Sequence, residues 1–237
     1  MVSPDRLGVA WLHLFAASAP PGRRMAWNEL WPQVKSILSD KKLSSIWAMT
    51  AHTWLIELLL ENGFSGHGRV IAFSRKAVPP LPEDADESSI APMTEADLPS
   101  VEPLDHLAFI PPWQMDTDAL RETLDRSLLA VVHRTGTRVT GYLMAGAAPQ
   151  GMHITRVAVH PEHQRQGIGR ALLVRLLRFG RRRGALRITV NTQSDNMRSR
   201  RLYRSLGFSE LGETYPVFRY DFPTDDRGPS DPFPTAS

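Results

Sequence analysis

Cysteine is absent from the 237 residues of the chain, which removes disulfide scaffolds, thiolate zinc sites, iron–sulfur clusters and cysteine nucleophiles. Chemistry here falls to His, Asp, Glu, Tyr, Ser or a bound cofactor. Long hydrophobic runs are missing too. The longest candidate, Gly8 to Ala19, falls short of the roughly 18 residues that a membrane span needs. It also makes a poor secretion signal, because Asp5 offsets Arg6 ahead of it and Ala17-Ser18-Ala19 runs straight into Pro20. The expectation is a buried strand in a cytoplasmic protein that does not contact membranes. With 42 % hydrophobic and 22 % charged residues, the chain is neither wholly disordered nor a collagen nor a coiled coil. Its length suits one large domain or two small ones.

Lysine and acid are both scarce where arginine is abundant. Residues 156 to 204 hold thirteen Arg and no Lys, against only Glu162 and Asp195. The formal charge of +3 therefore hides a strongly basic block in an otherwise acidic chain. Such a block points to a polyanionic ligand: a nucleotide, a phosphorylated cofactor or a nucleic acid. A solvated helix face is the plain alternative. Aromatic residues within the block are sparse, Phe179 and Tyr203, which argues against a nucleic-acid stacking platform.

From Pro79 the sequence PPLPEDADESS is proline-rich, then acidic, and reads as a linker over 79–87. The last fifteen residues, 223–237, hold four Pro and read as a disordered tail. Two folded segments are expected, 1–78 and 88–222. The second reads as mixed α/β with a central sheet. It has a strand near Ile90, helices over 95–108 and 118–126, a hairpin from LLAVVHR to RVTGYLMAG, and a strand at HITRVAV. From Gly169 to Arg182 apolar Leu172, Leu173, Leu176 and Phe179 recur at helical spacing. LRITVNT, NMRSRRLYRSL and TYPVFRYDF then give strand, helix and strand. The first segment repeats the end of this plan: AWLHLFAAS, WNELWPQVKSIL, SSIWAM, HTWLIELLLENGF and RVIAFSRK. Gly63-Phe64 falls where Gly207-Phe208 falls. An internal duplication whose first copy lacks its opening strands is the expectation.

The most informative stretch is VAVHPEHQRQGIGRALL. A strand ending at Val159 feeds Gln164-Arg165-Gln166-Gly167-Ile168-Gly169, which opens a helix. Gly167 and Gly169 let backbone N–H groups at a helix N-terminus approach an anion such as a pyrophosphate. Alone, G-x-G is a weak signal. A second motif follows in Asn196, Ser199, Leu202, Tyr203, Gly207 and Phe208, which fit N-x-x-[A/S]-x-x-L-Y-x-x-x-G-F. Together, in this order, the two motifs resemble the GNAT superfamily of N-acetyltransferases over the whole of 88–222.

That resemblance implies the acyl-CoA N-acyltransferase fold, a mixed sheet with two splayed parallel strands and flanking helices, here preceded by a partial copy. It implies acetyl-CoA as co-substrate and no metal, although His153, His160 and His163 are close in sequence. The pantetheine would meet Val157, Ala158 and Val159, and the pyrophosphate would rest on Gln164, Arg165, Gln166, Gly167, Ile168, Gly169 and Arg170, with Asn196 and Tyr203 completing the cofactor site. The Val157 N–H would stabilise the oxyanion, and Tyr203 would protonate the departing thiolate, unless its ring merely packs on the sheet. Many relatives carry a glutamate base six residues before the last apolar residue of the strand, where this chain has His153. Others, including ribosomal-protein alanine acetyltransferases, carry one five residues before the motif Asn, where this chain has Asn191. His153 is the candidate base, because imidazole titrates near neutral pH; a strand histidine bonded to a carbonyl is the alternative. Trp113, after Pro111-Pro112, is similar to the Pro-Trp segment of the alanine acetyltransferases.

The first copy has APPGRRMAW where the second has its phosphate loop, so Gly22 stands alone, and Leu59 takes the place of Tyr203. A catalytically dead copy is expected, packed against the second domain or against another subunit in a homodimer. The resulting reading is acetyl transfer from acetyl-CoA to a primary amine, either a protein N-terminus or a small molecule. A CoA-binding sensor or scaffold without turnover is the alternative, and an Arg-rich nucleic-acid binder a more distant one.

Overall fold

A computed structural model of the chain describes residues 2–4, 8–13, 15–16, 20–39, 41, 43–76 and 86–223. Most of the expected linker and all but the first residue of the expected tail lie outside them. The chain forms two compact units, one of residues 1–66 with 218–237 and the other of residues 67–217.

The amino-terminal unit contains β1 (Val2–Pro4), β2 (Val9–Leu12), α1 (Pro20–Ser39), β3 (Ser45–Met49) and α2 (Thr53–Glu61), with the first residues of β4 (Ser65–Lys76). Strands β2 and β3 are parallel, Val9 facing Ser45 through Leu12 facing Ala48. The short β1, which no apolar pattern announced, pairs antiparallel with β2. Its core is aromatic: Trp27, Trp31 and Phe64 pack with Ile46, Leu58, Leu59 and Phe218, and Tyr220 stands edge-on to Trp31. Aromatic pairs of this kind add to the area they bury.

The carboxy-terminal unit contains most of β4, then β5 (Ile90–Pro92), α3 (Leu98–Ala108), α4 (Thr117–Asp125), β6 (Ser127–Thr135), β7 (Arg138–Ala148), β8 (Gly151–Val159), α5 (Ile168–Arg182), β9 (Arg187–Gln193), α6 (Met197–Ser205) and most of β10 (Ser209–Asp221). The strand order is β10-β4-β9-β8-β7-β6-β5. Helix α5 forms because Ile168, Leu172, Leu173, Leu176 and Leu177 recur on one face and bury against Ile154, Ile188 and Val190 of the sheet. Its first turn lies close to β7: a Cβ on Gly141 would stand 2.9 Å from Ile168 Cγ2 and 3.1 Å from the Ala158 carbonyl oxygen, so only glycine fits there.

The units do not divide at the expected linker. From His67 on, β4 belongs to the carboxy-terminal unit, where Val70 to Lys76 pair antiparallel with Gln193 to Arg187 of β9. From Phe218 on, β10 belongs to the amino-terminal unit. Period-two alternation identifies a strand without naming its partner, so both segments read as strands while the unit each joins does not follow from its pattern.

Candidate active site

The site begins where two parallel strands part. Strands β8 and β9 pair from Gly151 facing Arg187 to Ile154 facing Val190 and no further, while β8 stays paired with β7 out to Val159 facing Gly141. A bulge marks the parting. Arg156 faces Met144 and Ile154 faces Ala145, so Thr155 has no partner across the ladder. An extra residue bends the strand that carries it and sharpens its twist.

A cavity of about 640 Å³ occupies the resulting groove, within the range of cofactor pockets. Val157, Ala158 and Val159 form one wall, and Arg165, Gly167, Ile168, Gly169 and Arg170 one end. The turn entering α5 is left-handed at two residues: Arg165 has φ of 63° and Gly167, the helix N-cap, 84°. The left-handed conformation is one that glycine adopts without penalty, and Gly167 to Arg170, the uncapped start of α5, line the groove. Arg198 and Arg201 of α6 also line the cavity, and among the described residues no Asp or Glu does. Arg198 Nη1 donates to Gln164 Oε1 at 2.7 Å, and Gln164 Nε2 donates to the Val159 carbonyl oxygen at 3.3 Å. These contacts tie α6 to the end of β8.

A second cavity, of about 210 Å³, adjoins the first and shares Phe109, Val157, Asn196, Ser199 and Tyr203 with it. His153, Thr155, Arg156, Asn191, Thr192, Gln193 and Trp113 complete much of its wall. The Arg156 guanidinium is held bidentate by Asp105, at 2.7 Å for both bonds, and also donates to the Trp113 carbonyl oxygen. Asp105 further accepts from the Tyr142 hydroxyl and from the Met115 N–H. Burial opposes the charge on Arg156, but its contacts with Asp105 and Tyr142 outweigh that and raise its pKa. Its guanidinium carbon sits 3.7 Å from the centre of the Phe109 ring. One buried ion pair thus holds the 109–116 segment at the mouth of both cavities, and breaking such a pair is costly.

Tyr203 is 3 % exposed and lines both cavities. Burial pushes its phenol up to about 12, against a smaller opposing hydrogen bond from Ser199, so it keeps its proton throughout the neutral range. His153 is half-buried, and burial lowers its pKa. Its Nδ1 lies 2.8 Å from Thr189 Oγ1, a side chain rather than the backbone carbonyl weighed from sequence. Asn196 accepts from the Ser199 N–H at 3.1 Å, so the motif asparagine caps α6 as well as lining the cavities. Gln166 stands apart: its exposed amide reaches back toward the Glu162 carbonyl oxygen at 3.5 Å and lines neither cavity. Sequence reading passed over Arg198 and Arg201, whose position within the second motif was the available signal, and over Phe109 and Arg156, whose partners lie far off in sequence.

Residues 98–208 match the model of the acetyltransferase (GNAT) family. Over these residues the chain carries the sequence pattern of that family. It is 28 % identical over 139 residues to the [ribosomal protein bS18]-alanine N-acetyltransferase of Escherichia coli strain K12, covering 59 % of this chain and 90 % of that enzyme. A GCN5-related N-acetyltransferase from Sphaerobacter thermophilus is similar in structure, with a TM-score of 0.65 at 18 % identity, covering 93 % of this chain and 75 % of that one. A tandem GNAT protein from the clavulanic acid biosynthesis pathway gives a TM-score of 0.60 at 15 % identity, covering 96 % and 78 %. At these identities the two structures show the fold. Members of the GNAT family use acetyl-CoA. Among the described residues no helix is long and apolar enough to cross a membrane, and no group of three or more His, Asp or Glu is placed to hold a metal ion.

Proposed function

We propose that the chain transfers acetyl from acetyl-CoA to a primary amine, in a ternary complex that fills both cavities at once. One observation carries this reading: a cationic groove and a pocket with no Asp or Glu among its described walls meet at Val157, Asn196, Ser199 and Tyr203. The groove suits CoA, because its helix N-terminus and the Arg165, Arg170, Arg198 and Arg201 side chains favour phosphate and no lining carboxylate repels it. When bound there, the thioester supplies the activated acyl group. In the net reaction a nitrogen–carbon bond forms, the carbon–sulfur bond breaks, one proton leaves the nitrogen and one reaches the sulfur.

The chain supplies positioning and proton handling. The Val157 N–H is the donor for charge developing on the carbonyl oxygen. Tyr203, protonated and buried where the cavities meet, delivers the proton to sulfur. His153, kept neutral by burial, takes the proton from nitrogen directly or through a water. The similarity to a [ribosomal protein bS18]-alanine N-acetyltransferase makes a protein N-terminus one acceptor to test, beside small-molecule amines. The amino-terminal unit acts in this reading as a degenerate second copy without a CoA site.

A thiol-release assay over peptides, polyamines, aminoglycosides and amino acids, run beside CoA-induced thermal stabilisation, tests the reading. Stabilisation with release of one thiol per acetylated amine is expected. Stabilisation without release on any acceptor would make the protein a CoA-binding sensor instead.

A further inference from the structure

The smaller cavity differs from the larger in charge. Its described walls contain no Asp or Glu. Their only obligate cation is Arg156, whose Nε and Nη2 are already bound by Asp105. The other titratable groups facing it are His153 of β8, which burial holds toward the neutral form, and Tyr203 of α6, which stays a neutral phenol. The rest is amide, hydroxyl and aromatic: Thr155, Asn191, Thr192, Gln193 and Trp113 among them. The four arginines of the adjoining groove are answered by the phosphates of CoA in the ternary complex. An ammonium entering the smaller cavity therefore meets Arg156 and no counter-ion among the described walls. A free carboxylate finds the Nε and Nη2 edge of that cation already taken by Asp105.

We infer that the acceptor pocket selects amines that arrive unprotonated, which makes its substrates weakly basic primary amines on uncharged surroundings and excludes lysine side chains, polyamines and other multiply cationic amines. This rests on the acetyl-transfer reading and sharpens it. The two wall positions where the resemblance places a glutamate hold His153 and Asn191, so no carboxylate stabilises the ammonium before it loses its proton. A peptide α-amine has a reference pKa near 7.7 to 8.0 and a lysine near 10.4. Close to neutral pH the neutral fraction then differs by a factor of roughly 300. The greater nucleophilicity of the more basic amine offsets part of this. Side chains such as Asn191, Thr192 and Gln193 suit the amide groups that follow a peptide α-amine.

Two measurements on the full chain test the inference. In the first, kcat/KM is compared for a lysine-free peptide with a free N-terminus, for the same peptide blocked at its N-terminus and carrying one lysine, and for spermidine. A preference for the α-amine on the order of a hundredfold near neutral pH is expected. Asn191→Asp should narrow it about tenfold by supplying a counter-ion. Equal use of the lysine peptide, preference for spermidine, or an unchanged ratio in Asn191→Asp would overturn the inference. In the second, calorimetry follows the α-amine peptide binding to the protein–CoA complex in buffers of different ionisation enthalpy, below the pKa of the amine. Release of a proton on binding is expected, and binding with no release contradicts the inference. If no amine is acetylated while CoA still stabilises the protein, the transfer reading fails, and the proton release still decides whether the pocket excludes ammonium.

Discussion

The two units carry the same crossover and use it differently. In each, a pair of parallel strands is held by four facing positions, Val9 to Leu12 against Ser45 to Ala48 and Gly151 to Ile154 against Arg187 to Val190. Strand β2 then stops at Leu12, where its pairing stops. Strand β8 runs five residues further, past the Thr155 bulge, supported only by β7. The groove thus depends on an arm that outruns its parallel partner, and that arm needs β7 behind it. In the amino-terminal unit the place of β7 is held by β1, antiparallel to β2 but only three residues long, facing Ala10 to Leu12 and nothing beyond. Where Tyr203 meets two cavities, Leu59 is fully buried in an aromatic core. The difference shows that a site of this kind is made by the strand as much as by the glycine loop.

The largest expected effect separates the units by one substitution in each. At Gly169 a Cβ would lie 3.1 Å from Leu202 Cδ2 and 3.7 Å from Val159 Cγ2, at the wall of the groove, whereas at Gly22 nothing lies within 4 Å. Gly169→Glu crowds that wall and places negative charge in the phosphate end. The stabilisation by CoA at a hundred times its Kd, about 2.7 kcal/mol, should vanish in Gly169→Glu and persist in Gly22→Glu. Thermal melts with and without CoA read both.

Tyr203→Phe should come next. It keeps the ring packed against Phe73 and Phe208 and removes only the proton donor, so CoA stabilisation should survive while turnover falls roughly tenfold to a thousandfold. Wild-type turnover would make Tyr203 a packing residue. The same variant has a stability signature. With the folded-state phenol raised to about 12 over a reference near 10, the unfolded chain ionises first. Stability present below about pH 10 is therefore lost as pH climbs toward 12, and Tyr203→Phe should remove that part of the loss.

Smaller effects should follow from Arg198→Ala and Arg201→Ala, which leave the α5 turn intact and take away exposed cations. Each should weaken CoA binding several-fold and lessen its salt dependence, as the roughly 0.2–1 kcal/mol typical of exposed ion pairs implies. The smallest concerns His153. Burial lowers its pKa, so the acid limb of activity that belongs to it should lie below the ordinary imidazole value near 6.5, with activity falling as pH drops. Stability should fall in the same window, since the unfolded chain takes up the proton first. His153→Asn should remove that limb and leave any limb near 7.7 to 8.0, which belongs to an α-amine acceptor. Profiles that coincide between His153→Asn and the wild type would assign the proton to water.

Much of this was legible in the sequence because it is local. The α5 face, the Gly167 turn and the asparagine cap of α6 are written within a few residues of each other, and helical periodicity exposes them. What was hidden is non-local. Strands β4 and β10 read as strands, but the pairing of β4 with β9 spans more than a hundred residues, and alternation carries no address. The bulge at Thr155 has no composition of its own. Arg156 looked like one more member of a basic run until Asp105, Tyr142 and Trp113 were found around it, and burial, not spacing, distinguishes it from its neighbours.

The most direct test of a single CoA site, in the groove beyond the parting of β8 and β9, is its stoichiometry. Calorimetric titration of the full chain with CoA should give one molecule bound per chain, because β8 carries the extended arm and the described part of β2 does not. Two per chain would give the amino-terminal unit a site of its own, and no binding at all would contradict the groove.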